Sequence, residues 1–120
     1  MATFDKDTVK RLHKTREVSI RTAKHPDTAV VIWLAVADNQ VFVRSFRGSK
    51  GRWYRDLAKG GPAELEVGGA RLAVQATPAS DPASIARASE EYLRKYGSSS
   101  YAQAMVKPET LATTLRLEPR

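Results

Sequence analysis

The stretch that decides the fold is Ala29-Val30-Val31-Ile32-Trp33-Leu34-Ala35-Val36-Ala37-Asp38-Asn39-Gln40-Val41-Phe42-Val43-Arg44-Ser45-Phe46. Ala29–Ala37 is an uncharged apolar run rich in β-branched residues. It predicts a strand buried on both faces, as in the centre of a sheet or the wall of a barrel. Asp38-Asn39 is a tight hairpin signal. Gln40–Phe46 then resumes as a strand, with Val41 and Val43 on one face and Phe42, Arg44 and Phe46 on the other. Strand, two-residue turn and strand make this the clearest hairpin in the chain.

Upstream, Phe4–Lys14 reads as a short surface helix. Asp5 is placed to cap it, Phe4 and Val9 have staple spacing, and Val9 and Leu12 continue the apolar face. Glu17–Ala23 alternates with Val18 and Ile20 on one side, which predicts a half-buried strand. Lys24-His25-Pro26-Asp27 reads as a turn, and His25 as a turn residue rather than a ligand.

Downstream, Arg47–Gly51 is a flexible basic loop. Arg52–Lys59 is expected to be a helix with Trp53 and Leu57 inward, stopped by Gly60-Gly61-Pro62. Ala63–Val67 and Arg71–Thr77 are alternating strands joined by Gly68-Gly69. Asp81–Tyr96 is the strongest helix: Asp81 caps it and Pro82 takes the first position. Its stripe is Ile85, Ala88, Tyr92, Leu93 and Tyr96. Glu90–Arg94 and Glu91–Lys95 have favourable i, i+4 order. Ser98–Ser100 is a linker, Tyr101–Val106 a helical turn or two, and Thr110–Leu117 a closing strand. The expectation is a mainly β chain with flanking helices, a small six-stranded antiparallel split β-barrel, forming one domain over 1–120.

Composition narrows the chemistry. The chain has 120 residues, no cysteine and two histidines. Disulfides and cysteine-held zinc or iron–sulfur sites are excluded, and a His-rich metal cage is not expected. The expected compartment is the reducing cytosol. The longest apolar run is far short of the ~20 residues a helix needs to cross a bilayer. The start Met1-Ala2-Thr3-Phe4-Asp5-Lys6-Asp7 does not read as an export signal, so no membrane partner is expected. No serine nucleophile with a histidine beside it and no paired-carboxylate site stands out.

Charge is uneven. Residues 1–60 hold 13 basic and 6 acidic side chains, while residues 61–120 hold seven of each, so the whole net charge of +7 lies in the first half. Within Arg44–Lys59 six basic residues face Asp56 alone. Such a surplus points to an anionic partner, against the plainer reading of a basic solvated surface. Arg47-Gly48-Ser49-Lys50-Gly51-Arg52 lies between a strand and a helix start. Glycines there allow close backbone approach, and Arg47, Lys50 and Arg52 add charge suited to phosphate or carboxylate. The spacing is not that of a Walker loop.

Over this segment, the hairpin followed by the Arg/Ser/Lys loop and Trp53-Tyr54-Arg55-Asp56-Leu57 resembles the flavin-binding split-barrel group. That group includes pyridoxamine 5′-phosphate oxidase-like proteins and deazaflavin-dependent nitroreductases. More narrowly, the chain resembles a small bacterial family of unknown function within the group. Element order matches over about Glu17–Leu117, and the motif over about Val41–Leu57. The resemblance implies a homodimer with FMN or a deazaflavin at the subunit interface. Arg44, Ser45 and Phe46 would line the ring and ribityl region. Arg47, Ser49, Lys50 and Arg52 would contact the phosphate, with Trp53 behind the loop or against the ring. Two features depart from the group's pattern: the helix ends in Gly60-Gly61-Pro62 rather than Asn-Pro, and Ala29–Ala37 carries no basic phosphate ligand. Trp33 is expected in the core.

Three functions follow from these readings. The first is a flavin or deazaflavin oxidoreductase or carrier, the cofactor supplying the redox chemistry. The second is a small nucleic-acid-binding barrel with Phe42, Phe46, Trp53 and Tyr54 among arginines. The third is a cofactor-free structural or ligand-binding dimer.

Overall fold

Asp38 and Asn39 both adopt positive φ, 52° and 64°. This is the conformation a two-residue hairpin needs to match strand twist, and Asn and Asp tolerate it better than most residues. In the computed structural model, residues 3–120 are described; Met1 and Ala2, which open the N-terminal stretch read above, lie outside them. The hairpin joins β3 (Leu34–Ala37) to β4 (Gln40–Val43) in antiparallel register, with Ala37 opposite Gln40 and Leu34 opposite Val43. The flanking strands are β1 (Val18–Thr22), β2 (His25–Ile32), β5 (Gly61–Val67), β6 (Ala70–Pro78) and β7 (Leu115–Pro119). They form one antiparallel sheet in the order β2-β1-β5-β6-β7-β4-β3.

That order dictates the shape. β2 and β3 are the two edges of the sheet, yet Trp33 alone separates them in sequence. Neighbouring Cα atoms are about 3.8 Å apart, so the two edges must meet at this corner. The sheet therefore curls into a half-barrel. Its interior holds Val18, Ile20, Leu34, Val36, Val41 and Val43 from one side and Leu65, Val67, Val74, Leu115 and Leu117 from the other. The helix α1 (Lys6–Lys14) adds Val9 and Leu12, and α2 (Arg52–Leu57) adds Trp53 and Leu57. Outside the curl, α3 (Pro82–Tyr96) covers β3 and β4, placing Tyr92 and Tyr96 on Ala35, and Ala88 beside Ala37 and Phe42. The caps act as read: Asp5 accepts from Thr8 N at 2.7 Å and Asp81 from Ser84 N at 3.0 Å.

Four expectations need correction. The sheet has seven strands, not six, because Ala29–Ala37 is two strands. Only Leu34–Ala37 is buried on both faces, and Val31 in β2 is exposed. Periodicity cannot say which apolar strand will be covered. Second, the turn is Ala23-Lys24, and His25-Pro26-Asp27 already belong to β2. Proline is tolerated there because β2 is an edge, and pairing jumps from Ile20↔Val30 to Thr22↔His25. Third, Thr110–Leu117 is not one strand: Pro108 opens a helical turn, α4 (Pro108–Leu111), and β7 begins only at Leu115. Fourth, Leu93 faces solvent while Glu91 is buried and pairs with Arg94 at 2.9 Å. Lys95 instead turns to the Leu12 and Leu34 carbonyls, at 3.2 and 3.3 Å. Burial, and then the charge of Arg16, lower its pKa to about 8. No described helix is long and apolar enough to cross a membrane.

Candidate functional site

The strand β4 ends at Val43, sooner than expected, and the next residues diverge. Arg44 is 1% exposed. Its Nε donates to Thr114 Oγ1, Nη1 to Ser89 Oγ and the Met105 carbonyl, and Nη2 to the Ile85 carbonyl, all at 2.9 to 3.0 Å. The guanidinium also lies 5.3 Å from the Tyr92 ring centre. Among the described residues no carboxylate pairs with it. The side chain thus ties the end of β4 to α3, to the 3₁₀ segment Ala102–Val106, and to the residue before β7. Burial lowers its pKa, with the Tyr92 hydroxyl opposing.

Ser45 points the other way. Its N–H donates to Thr113 Oγ1 at 2.9 Å, but its Oγ is buried and has no hydrogen-bond partner among the described residues. A Cβ at Gly51 would collide with that oxygen, so glycine there leaves it room. Gly48, at φ 64°, turns the chain into a single 3₁₀ turn, Gly48–Lys50, before α2 begins.

These elements wall a cleft of about 480 Å³. One side is the edge strand, through Val30, Val31 and Ile32, with Trp33 at the corner. The facing side is Ser45, Phe46, Arg47, Arg52 and Trp53, and Tyr101 and Met105 close the end. Val31, Phe46 and Tyr101 are exposed at 61%, 54% and 61%, and the Phe46 and Tyr101 rings meet edge to face at 5.8 Å. This volume and apolar lining suit a small organic ligand. Arg47 and Arg52 are exposed, and no described carboxylate forms an ion pair with either. Glu17 is the one acid in the lining.

Of the residues singled out from sequence, Ser45, Phe46, Arg47, Arg52 and Trp53 come together around the cleft. Arg44 borders it, but its guanidinium is taken up by neutral oxygens of the framework. Ser49 and Lys50 are exposed on the 3₁₀ turn and lie outside the lining. The sequence reading missed Glu17, Val30, Val31, Tyr101 and Met105, and it placed Trp33 in the core, whereas Trp33 is half-buried on the cleft. Pro26, the mark of an edge strand, was the available signal that the valines after it would be uncovered. Tyr101, an aromatic after a serine linker, carried another.

At the far end of α2, His25 also has a role beyond the turn. Its Nδ1 lies 2.6 Å from Asp56 Oδ2, which also accepts from Thr22 Oγ1 at 2.6 Å. Burial pushes the Asp56 carboxyl up, but the bonds to Thr22 and His25 and the charge of Lys24 outweigh this and hold it below its ordinary value. A depressed carboxyl stabilises the fold fully above its unfolded pKa of about 4, and the gain is lost as pH falls through the folded value. Asp56→Asn should therefore cost about 1–2 kcal/mol at pH 7. It should also flatten the loss of stability below about pH 4. Urea unfolding from pH 2 to 7 checks both; a parent and variant that differ equally at every pH would count against the assignment. Among the described residues no group of three metal-ligating side chains is present.

A family model described as an uncharacterized protein conserved in bacteria (DUF2255) matches residues 8–117. No curated protein matches the chain. Among solved structures, the conserved hypothetical protein Rv2991 from Mycobacterium tuberculosis superposes with a TM-score of 0.62 at 10% identity, covering 99% of this chain and 81% of that one. An FAD- and heme-binding protein from Mycobacterium smegmatis superposes with a TM-score of 0.61 at 16% identity, covering 97% of this chain and 65% of that one. The chain thus spans about two thirds of the length of the second protein. At these identities the likeness is one of fold.

Proposed function

The chain belongs to the DUF2255 family of bacterial proteins, and we propose that its cleft binds a flavin or deazaflavin and that the protein serves as an oxidoreductase or carrier. The observation that carries this reading is the Ser45 hydroxyl. It is buried without a partner among the described residues, in a cleft wall between apolar side chains and the exposed Arg47 and Arg52. An unpaired buried hydroxyl costs free energy, and a turn of the Ser45 side chain from Gly51 toward the cleft would let a ligand's ring carbonyls or nitrogens satisfy it. Around it, Phe46, Trp53 and Trp33 offer the faces and edges a planar ring packs against. Arg47 and Arg52 offer two cations to an anionic tail. A half-barrel of the same fold in a protein that binds FAD and heme adds support at the level of architecture.

The bound cofactor would supply the hydride or electron chemistry. The chain's own part is binding and orientation. Ser45 would fix the ring's polar edge, Arg47 and Arg52 would hold the tail, and the apolar walls would exclude water. Glu17 and Tyr101 are lining side chains with the chemistry to hold or move a proton. Exposed Val31, Phe46 and Tyr101 at the mouth give a second copy of the chain an apolar face to cover, the homodimer expected from the resemblance.

Titration of the purified protein with FMN, FAD and a deazaflavin, followed by visible absorbance, tests the reading. Saturable spectral shifts with a Kd of about 1–10 µM are expected for at least one of the three, a binding free energy of about 7–8 kcal/mol. No shift with any of them at about 100 µM overturns it. DNA or RNA binding that falls steeply with salt, without flavin uptake, would favour the nucleic-acid barrel instead.

A further inference from the structure

Trp33 sits at the corner where the chain leaves one sheet edge for the other, and it is fixed there. Tyr92 Oη donates to its carbonyl at 3.2 Å. Its indole lies flat on Tyr96, with ring centres 4.0 Å apart and planes at 1°. Tyr96 is itself locked. It is fully buried, its Oη donates to the Arg16 carbonyl at 2.6 Å, and it accepts from Leu34 N at 3.3 Å. The cations of Arg16 and Lys95 stand 5.1 and 5.3 Å from its ring centre. A tryptophan serving only the core would be enclosed on both faces. This one has one face covered by a ring that is itself buried and hydrogen-bonded, remains half-buried, and borders the cleft.

The geometry points to Trp33 as a stacking platform for the ligand's planar ring, with Tyr96 as the positioning residue that sets its tilt. An electron-rich indole stacks best on an electron-poor heteroaromatic ring, and stacking of a base on an aromatic side chain is worth about 1–3 kcal/mol. The identity of that ring as a flavin rests on the proposed function; the platform does not. Trp33 thereby selects for a flat ring, where an aliphatic ligand of equal volume gains only contact area.

The chain has two tryptophans, so Trp53→Phe leaves Trp33 as the sole indole emitter. That variant is titrated with FMN, with lumichrome (the flavin ring system without a tail) and with anthraquinone-2-sulfonate (a planar aromatic anion that is not a flavin). Trp33 emission is expected to fall by more than about half on saturation with a bound ring. In the otherwise unaltered chain, Trp33→Leu should weaken planar probes about tenfold, within the range for one lost stack. Trp33→Phe should keep affinity within about threefold, since a ring face remains. A second readout avoids Trp53→Phe: the fluorescence of flavin bound to the parent should be strongly quenched, and should rise in Trp33→Phe. Tyr96→Phe, which keeps the backing ring but loses the bonds that lock it, should raise the bound flavin's fluorescence part of the way toward the Trp33→Phe level, and quenching equal to the parent's would remove Tyr96 as the positioning residue.

The outcomes separate the two proposals. Flavin that binds without quenching Trp33 removes the platform and leaves the flavin reading standing. Quenching by the anthraquinone without any flavin binding removes the flavin reading and leaves the platform. If none of the three probes quenches Trp33, the platform is wrong.

Discussion

Arg44→Ala is expected to lower stability by about 3–5 kcal/mol, which for a chain of this size is a fall of roughly 12–20 °C in Tm. The side chain is almost fully buried, and four hydrogen bonds run from it to three other parts of the chain. Its removal leaves a cavity between β4 and α3. It also takes the donor from four acceptors, of which Thr114 Oγ1 and the Met105 carbonyl lie in buried bonds and Ser89 Oγ and the Ile85 carbonyl in part-buried ones. Part of this cost is offset, because a cation buried without a carboxylate is expensive to keep. Arg44→Met should separate the contributions: it retains most of the stem and discards the charge, so it should cost less than alanine, about 1–3 kcal/mol. Urea unfolding of the parent and both variants is the measurement. An alanine variant that melts within about 3 °C of the parent would mean the guanidinium is not the tie described.

Arg44 also shows where reading from sequence stops. Alternation along Gln40–Phe46 places Phe42, Arg44 and Phe46 on one face; Phe42 and Arg44 do both meet α3, but the strand ends at Val43 and Phe46 is exposed at the cleft. What alternation cannot tell is that this face is roofed by α3, a helix some forty residues further on. An arginine on such a face looks solvent-bound or ligand-bound, and neither describes it. The same limit explains Val31. Its side chain reads as core because it lies in the longest apolar run of the chain, but coverage depends on strand order. β2 is an edge because the chain swings away at Trp33. Signals that act within a few residues were legible. Asp5, Asp81 and Pro82 marked helix starts, and Asp38-Asn39 and Gly68-Gly69 marked hairpins. The basic loop ahead of Trp53 marked one wall of the cleft. The other wall was hidden because β2 and α2 are some twenty residues apart, and nothing local announces that they face each other. At the C-terminal end, Lys107-Pro108 is a helix-start signal that competes with the alternation of Leu111, Thr113 and Leu115. Proline's fixed φ and the bonds from Thr110 Oγ1 to the Ala104 carbonyl and Thr113 Oγ1 to the Thr110 carbonyl settle it as a turn.

The largest effect on ligand binding is expected from Arg47→Ala combined with Arg52→Ala, which should weaken FMN about 100-fold while changing lumichrome by less than about threefold. The charge sits at the rim of the cleft. Both side chains border the cleft, both are exposed, and neither has an ion-pair partner among the described residues, so each is free to meet a phosphate. A charge-assisted bond at such a site is worth about 1.5–3 kcal/mol, and solvent exposure places these at the lower end. Two of them give close to 3 kcal/mol, or about 100-fold. The helix behind them has only six residues, so the side chains rather than its dipole carry the charge. Lumichrome has no tail and so reports the ring site alone. Lys50→Ala is the internal comparison, because Lys50 has the same charge on the same loop but stands outside the lining. It should leave FMN affinity within about twofold, which isothermal titration can resolve. If Lys50→Ala weakens FMN as much as the double variant does, then diffuse attraction by the +7 chain is at work, and the tail is not held at this rim. A steep decline of all affinities with salt, lumichrome's included, would point the same way.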